Sequence, residues 1–164
     1  MSVKIAVSGA AAEAVDRVVP QLVSDLVASR ITGGDETLWG PDAEEESAKR
    51  LGWVEAVSVS RPMVADIVAL RDKLREDGVD HIVLGGMGGS SLAPEVITRT
   101  YGVELTVLDS TDPGQVLAAL GDRLATTAVV ISSKSGSTVE TDSQKRIYEK
   151  FFSEAGIDPL ERII

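Results

Sequence analysis

The chain has 164 residues, 43% of them apolar, which is enough to build a core and excludes disorder; the length suits about one to one and a half domains. Sixteen Lys and Arg against 26 Asp and Glu give a net charge of −10, a surface that repels nucleic-acid phosphates and anionic lipid. With no cysteine and a single histidine, His81, the sequence excludes disulfide frameworks, thiolate nucleophiles and Cys- or His-cluster metal sites. The N-terminus has no basic segment followed by a long apolar one, and no run of about 18 apolar residues occurs. A cytoplasmic protein that partners neither nucleic acid nor membrane is expected. Aromatic residues at 4% and 15 glycines favour an α/β protein of aliphatic strands and glycine turns.

In chain order, Val3 to Val7 alternates apolar and polar residues and predicts a short strand ended by Ser8-Gly9. Over 11–30 the apolar set Val15, Val18, Val19, Leu22, Val23, Leu26 and Val27 recurs every three or four residues, predicting a helix with one buried stripe that Pro20 kinks or divides. Residues 31–50 read as a loop around Leu38-Trp39, then a solvated helix carrying Glu44-Glu45-Glu46. A further helix has Ser60 as its N-cap, Pro62 near its first position, Ile67, Leu70 and Leu74 as its stripe and Gly78 as its stop.

Beyond it the pattern is regular. His81-Ile82-Val83-Leu84, Leu105-Thr106-Val107-Leu108 and Ala128-Val129-Val130-Ile131 each predict a strand, followed by a polar loop and a helix: 92–99, 113–120 and 139–155. Such units imply a parallel sheet with right-handed crossovers. Asp158 to Ile164 predicts a turn into another apolar strand that stops after two apolar residues, as in a piece of a longer protein. The fold class is thus α/β, with a mainly helical segment over 1–60 before a sheet domain over 61–164.

In open parallel sheets ligands bind outside the carboxyl ends of the strands, here the loops 85–91, 109–112 and 132–138. The last holds the hydroxyls of Ser133, Ser135, Ser137 and Thr138, the ammonium of Lys134, and Gly136, which lets backbone N–H groups turn inward. It leads into the positive end of a helix, where a phosphate dianion is well held. Gly89 and Ser90 add amides and a hydroxyl from the first loop. The same residue types also make turns and N-caps.

Other chemistries fit poorly. Gly86 to Ser91 lacks the third glycine of a dinucleotide fingerprint, and no Gly-Lys-Ser/Thr sequence forms a Walker loop. A Ser-His-Asp triad would need His81 near Ser90, but His81 begins a strand and lies roughly 13 Å from its far end. Trp39 and Trp53 read as packing anchors or sugar-stacking rings, and Asp112 as the cap of the helix at Pro113, with a Mg²⁺ role shared with Asp109 as the alternative.

Gly86 to Pro94 and Ser133 to Thr141 resemble the two sugar-phosphate motifs of the glucose-6-phosphate isomerase family, in order and strand context. Leu38-Trp39-Gly40 and Leu51-Gly52-Trp53 resemble the branch related to transaldolase–phosphoglucose isomerase proteins. The resemblance implies the sugar isomerase (SIS) fold, a three-layer αβα sandwich. It implies that Gly89, Ser90, Ser133, Lys134, Ser135, Gly136, Ser137 and Thr138 bind glucose 6-phosphate or fructose 6-phosphate, with no metal or cofactor. The chemistry implied is aldose–ketose isomerisation through a cis-enediol, as used in glycolysis and gluconeogenesis. The family's catalytic glutamate, histidine, arginine and lysine have no counterpart in these residues, so the expectation is an N-terminal portion inactive alone. The alternative is a non-catalytic SIS module that senses sugar phosphate. Family members are often dimers, so a homodimer is also expected. Ser135-Gly136-Ser137 stands where a hydroxyl–Phe–Thr sequence is usual, and Ser91 and Ala93 where Asp and Gly are usual, which bears on sugar preference.

Overall fold

The computed structural model describes residues 4–164, which separate into two compact units with the division between Asp66 and Ile67. The second unit is built on three parallel strands, β1 (His81–Gly86), β2 (Thr106–Leu108) and β3 (Thr127–Ser132), in the order β2-β1-β3. Its helices are α5 (Val64–Glu76), whose first residues belong to the other unit, α6 (Gly89–Tyr101), α7 (Pro113–Leu120) and α8 (Val139–Glu154). The elements of the first unit are α1 (Ala10–Ser24), α2 (Val27–Thr32), α3 (Pro41–Arg50) and α4 (Ala56–Ser60).

Alternation along the strands creates two apolar faces. Val83, Leu108 and Val129 point to one side and pack with Val116, Ala119 and Leu120 of α7 and with Tyr148 and Phe152 of α8. The Tyr148 and Phe152 rings lie 5.9 Å apart and tilted by 39°. Ala128 and the half-buried Ile82 point the other way, to Leu74 of α5 and Val79. The sheet is therefore parallel with helices on both faces, as the strand–loop–helix grammar predicted. The expected tail strand begins too: Val129 N–H donates to the Arg162 carbonyl at 2.8 Å, and Ile164 N–H to the Val129 carbonyl at 2.9 Å. These bonds lay Ile163 parallel to β3.

Several expectations need correction. Val3 lies outside the described residues, and Lys4 to Val7 form no strand; Ile5 is 84% exposed. An isolated strand finds no partner for its N–H and C=O groups here, and alternation alone does not supply one. Pro20 sits inside an unbroken α1, and the division comes at Asp25-Leu26, where Leu26 takes a left-handed φ of 54°. The predicted stripe on that helix is exposed at Val15, Val18, Val19, Leu22, Val23 and Leu26. Among the described residues of the first unit only Leu51 is a buried hydrophobic. Trp39 and Trp53, at 51% and 67% exposure, are not packing anchors within the chain.

The loop expected around Leu38-Trp39 is a 3₁₀ turn over Glu36–Trp39. Its cap, Asp35, accepts from Arg30 Nε at 2.6 Å and from the Thr37 N–H at 2.9 Å; this pairing holds the Asp35 carboxyl down at about 2. The solvated helix α3 is present with its i,i+4 pairs Lys49–Glu45 and Arg50–Glu46. Ser60 makes no cap: its backbone is helical and continues through Arg61–Met63 into α5. Of the stripe assigned to α5, Leu74 is buried while Ile67 and Leu70 are exposed; Gly78 ends that segment at φ 80°.

His81 ties the lower edge of the sheet together. Its Nδ1 lies 2.9 Å from Thr127 Oγ1 and its Nε2 2.8 Å from Thr106 Oγ1, so one ring spans all three strands. Thr127 Oγ1 donates to the Arg123 carbonyl at 2.7 Å, which commits its proton and leaves Nδ1 to carry the hydrogen and donate. Nε2 then accepts from Thr106. Burial first, and the Arg123 guanidinium second, push the His81 pKa below its ordinary 6.5, while Glu104 and Asp80 pull weakly the other way. The unfolded chain therefore takes up a proton before the folded one does. The clamp's contribution is complete above about pH 6.5 and declines as pH falls below it, by at most about 1.4 kcal/mol per pH unit. Urea midpoints compared between pH 7.5 and 5.5 should fall more for the wild type than for His81→Gln, and equal falls would reject the clamp.

Candidate functional site

Where two neighbouring parallel strands send their following helices to opposite faces, the loops diverge and leave a crevice at the carboxyl ends. Right-handed crossovers require this between β1 and β3. The step from β1 to β2 and the return from β2 past β1 to β3 run in opposite directions, so α6 and α7 lie on opposite faces, and α8 shares the α7 face. The loops at that point are Met87–Ser90 and Ser133–Thr138.

The backbone converges there. Gly86, the last residue of β1, is buried, and a Cβ on it would stand 3.2 Å from the Ser132 carbonyl oxygen and 3.3 Å from Ser90 Cβ. Ser90 and Ser132, the residue before Ser133, thus flank the same point at Gly86. Gly88 precedes α6 at φ 60° and ψ −123°, a conformation that disfavours a Cβ, and Gly89 and Ser90 form the helix's first turn. Ser91 differs from its neighbours: it is buried, and its hydroxyl donates to the Gly88 carbonyl at 3.0 Å, closing the turn.

The second loop folds on its own hydroxyls. Ser133 Oγ lies 3.2 Å from Thr138 Oγ1 and accepts from the Gly136 N–H at 3.1 Å; Ser135 Oγ accepts from the Ser137 N–H and hydroxyl, each at 3.2 Å. Ser135 Oγ is also 3.4 Å from Thr138 Oγ1. Gly136 makes the turn at φ 68°. The structure thus gathers Ser133, Ser135, Gly136, Ser137 and Thr138 into one knot at the N-terminus of α8. Lys134 is exposed and forms no salt bridge among the described residues. This is the equipment of an anion cradle: five hydroxyls including Ser90, loop amides and a free ammonium at a positive helix end. Hydroxyl-to-hydroxyl bonds exchange for bonds to phosphate oxygen with little net loss, because each group keeps a partner.

Asp112 is the helix cap that its position beside Pro113 predicts, accepting from the Gln115 N–H at 3.0 Å. Glu140 lies in the first turn of α8, where it meets the helix dipole favourably. No group of three or more His, Asp or Glu that could hold a metal occurs among the described residues. Thr141 and Gln144 were not among the expected site residues, yet both are buried on α8, with Thr141 Oγ1 and Gln144 Oε1 unpartnered among the described residues. Polar residues inside a charged helix look solvated until the sheet is seen beneath them.

No family model matches the chain. It is similar to the glucose-6-phosphate isomerase of Synechococcus elongatus, 40% identical over 80 residues that make up 44% of this chain and 15% of that protein. Glucose-6-phosphate isomerase 1, chloroplastic, of Arabidopsis thaliana is 37% identical over 81 residues, 44% of this chain and 13% of that one. The probable glucose-6-phosphate isomerase of Natronomonas pharaonis is 29% identical over 119 residues, covering 71% and 27% respectively. The crystal structure of a glucose-6-phosphate isomerase from Chlamydia trachomatis has the same fold over 81% of this chain and 26% of its own, with a TM-score of 0.55 at 22% identity. The chain spans only a small part, 13% to 27%, of the curated relatives it matches here.

The cradle makes a direct prediction. Lys134→Ala combined with Ser133→Ala should weaken binding of inorganic phosphate by roughly tenfold or more, since charge-assisted hydrogen bonds contribute about 1.5–3 kcal/mol. The thermal midpoint should hardly move, because neither side chain is part of the core. Calorimetry returning wild-type affinity for the double variant would remove the cradle from 133–138.

Proposed function

We infer that this chain, homologous over about half its length to glucose-6-phosphate isomerases, supplies the sugar-phosphate-holding part of such an enzyme. The observation that carries the reading is the meeting of Ser90 with the end of β3 at Gly86, which sets the two polar loops side by side at the sheet's crevice. A phosphate monoester carries about −1.5 to −2 charges at pH 7. Lys134 balances one of them. The hydroxyls of Ser90, Ser133, Ser135, Ser137 and Thr138, with the amide at Gly89, hold the remaining oxygens.

The reaction this serves is the interconversion of glucose 6-phosphate and fructose 6-phosphate, a step of glycolysis and gluconeogenesis. It consists of ring opening followed by proton transfer between adjacent carbons through an enediol. The chain's part is orientation: fixing the phosphate turns the approach of the reacting carbons to a base into an intramolecular event. Nothing in the cradle abstracts a proton. Lys134 supplies charge, the serines and Thr138 bond one another and the loop amides, and Glu140 sits in a helical first turn. On this reading the 164 residues bind sugar phosphate without turning it over, and the protein works in the cytoplasm, as a homodimer. Among the described residues no helix is long and apolar enough to cross a membrane.

Calorimetry with glucose 6-phosphate and a coupled isomerase assay on the 164-residue chain test the first half: binding without turnover is expected, and absence of binding overturns the reading. The same assay on the whole natural protein carrying these residues tests the second half. Isomerase activity is expected there; binding with no activity would favour a sugar-phosphate sensor instead.

A further inference from the structure

One buried polar side chain beside the cradle has no part in holding phosphate. Gln144, on the α8 face toward the sheet, is 0% exposed. Its Nε2 donates to the Ser110 carbonyl at 3.2 Å, across 34 residues of sequence. Its Oε1 is unpartnered among the described residues and stands 3.0 Å from where a Cβ on Gly85 would lie, so the absence of a side chain at 85 is what admits the amide. A buried amide with one unsatisfied oxygen is less favourable than an apolar side chain of the same size. What the amide contributes in return is its N–H bond, which holds the loop 109–112 after β2.

That loop follows the strand on the other side of β1 from β3. Strands are spaced about 4.8 Å apart, so β2 is roughly 10 Å from β3 across β1, within reach of a sugar phosphate that lies over β1 with its phosphate at 133–138. Within the loop, Asp112 is committed to the Gln115 N–H, and Ser110 Oγ accepts from the Asp112 N–H at 3.0 Å. Asp109 and Thr111 are exposed, and their side chains have no hydrogen-bond partner among the described residues. A free carboxylate and a free hydroxyl suit the hydroxyl groups of a polyol, which donate strongly to an ionised acceptor.

We propose that Gln144 is a positioning residue that holds loop 109–112 so that Asp109 and Thr111 meet the hydroxyl-bearing end of a sugar phosphate whose phosphate occupies loop 133–138. This rests on the sugar-phosphate reading above. Gln144 touches no ligand itself; it acts through the Ser110 carbonyl. The bond links the two ends of the site through α8, whose N-terminus is the phosphate loop and whose second turn carries the amide.

The test is calorimetry on the 164-residue chain with two probes, inorganic phosphate and fructose 6-phosphate. Gln144→Leu and Asp109→Ala are each expected to weaken fructose 6-phosphate binding by about tenfold, the worth of one charge-assisted hydrogen bond, with inorganic phosphate affinity unchanged within about twofold. Combined, they should lose no more than either alone, because the amide works through Asp109. Gln144→Met keeps the length and volume, lacks the N–H donor, and is read in the same way should the leucine variant fail to fold. Equal weakening of both probes, or additive losses in the double variant, would reduce Gln144 to a structural residue and overturn the proposal. A wild-type chain that binds phosphate normally but fructose 6-phosphate no better overturns it as well, leaving the cradle standing. A wild-type chain that binds neither probe overturns the sugar-phosphate reading itself.

Discussion

The order β2-β1-β3 is the constraint from which the site follows. A parallel sheet forces each connection to cross over through a helix, and chirality of the crossover leaves no choice of face once the strand order is set. Because the chain steps outward from β1 to β2 and then returns past β1 to β3, the helices after β1 and β3 must part. Their N-termini remain near one another while their bodies go to opposite faces. This divergence brings the loops Met87–Ser90 and Ser133–Thr138 to the same end of the sheet. The apolar pairing of Val83 and Val129 with Tyr148 and Phe152 is what makes the order pay off energetically, by burying α8 against the same two strands whose ends bear the loops.

The two ends of the sheet are put to different uses. At the amino ends the polar groups are closed on one another: His81 is held between Thr106 and Thr127, and Arg123 pairs with Glu104 at 2.6 Å and with Asp80 at 3.2 Å. Hydrogen bonds from Thr126 and Arg123 hold the Asp80 carboxyl below the usual carboxylate range. At the carboxyl ends the bonds are short-range, among hydroxyls and amides within six residues, and the nearby ammonium of Lys134 forms no salt bridge among the described residues. In a chain of net charge −10 with many i,i+4 ion pairs, a lysine left without one beside a helix N-terminus is a local positive spot, and a local anion is its natural complement.

The sheet unit was legible in the sequence because its signals are local and agree with one another. Each strand is a short aliphatic run, each loop is marked by Gly or Ser, and Asp112, Gly78 and Gly156 punctuate where their side chains or their lack of one require. The first unit was read less well for the opposite reason. Periodicity in α1 reports an apolar face but not what covers it, and Val18, Val19 and Leu22 remain exposed in the described chain. Pro20 showed only that one backbone bond is lost; the break at Leu26 depends on a left-handed residue that no propensity scale marks. In the site, the hydroxyl loops were visible as composition, whereas the burial of Gln144 and Thr141 was not, since it arises from the sheet packed beneath α8.

That last difference separates two kinds of functional residue. Groups that meet a ligand sit on loops, where solvent exposure lets a polar residue stand without tertiary support, so residue type and spacing reveal them. Groups that hold those loops must be buried to be rigid, and burial places them among residues of core or helix, where their type alone is ambiguous. Gly85 and Gln144 illustrate the second kind as a pair. The glycine looks like part of a flexible loop and the glutamine like a solvated helix residue, yet the missing Cβ at 85 is the space that the amide fills. Neither can be interpreted without the other, and they come together only when α8 lies over β1, 59 residues further along the chain.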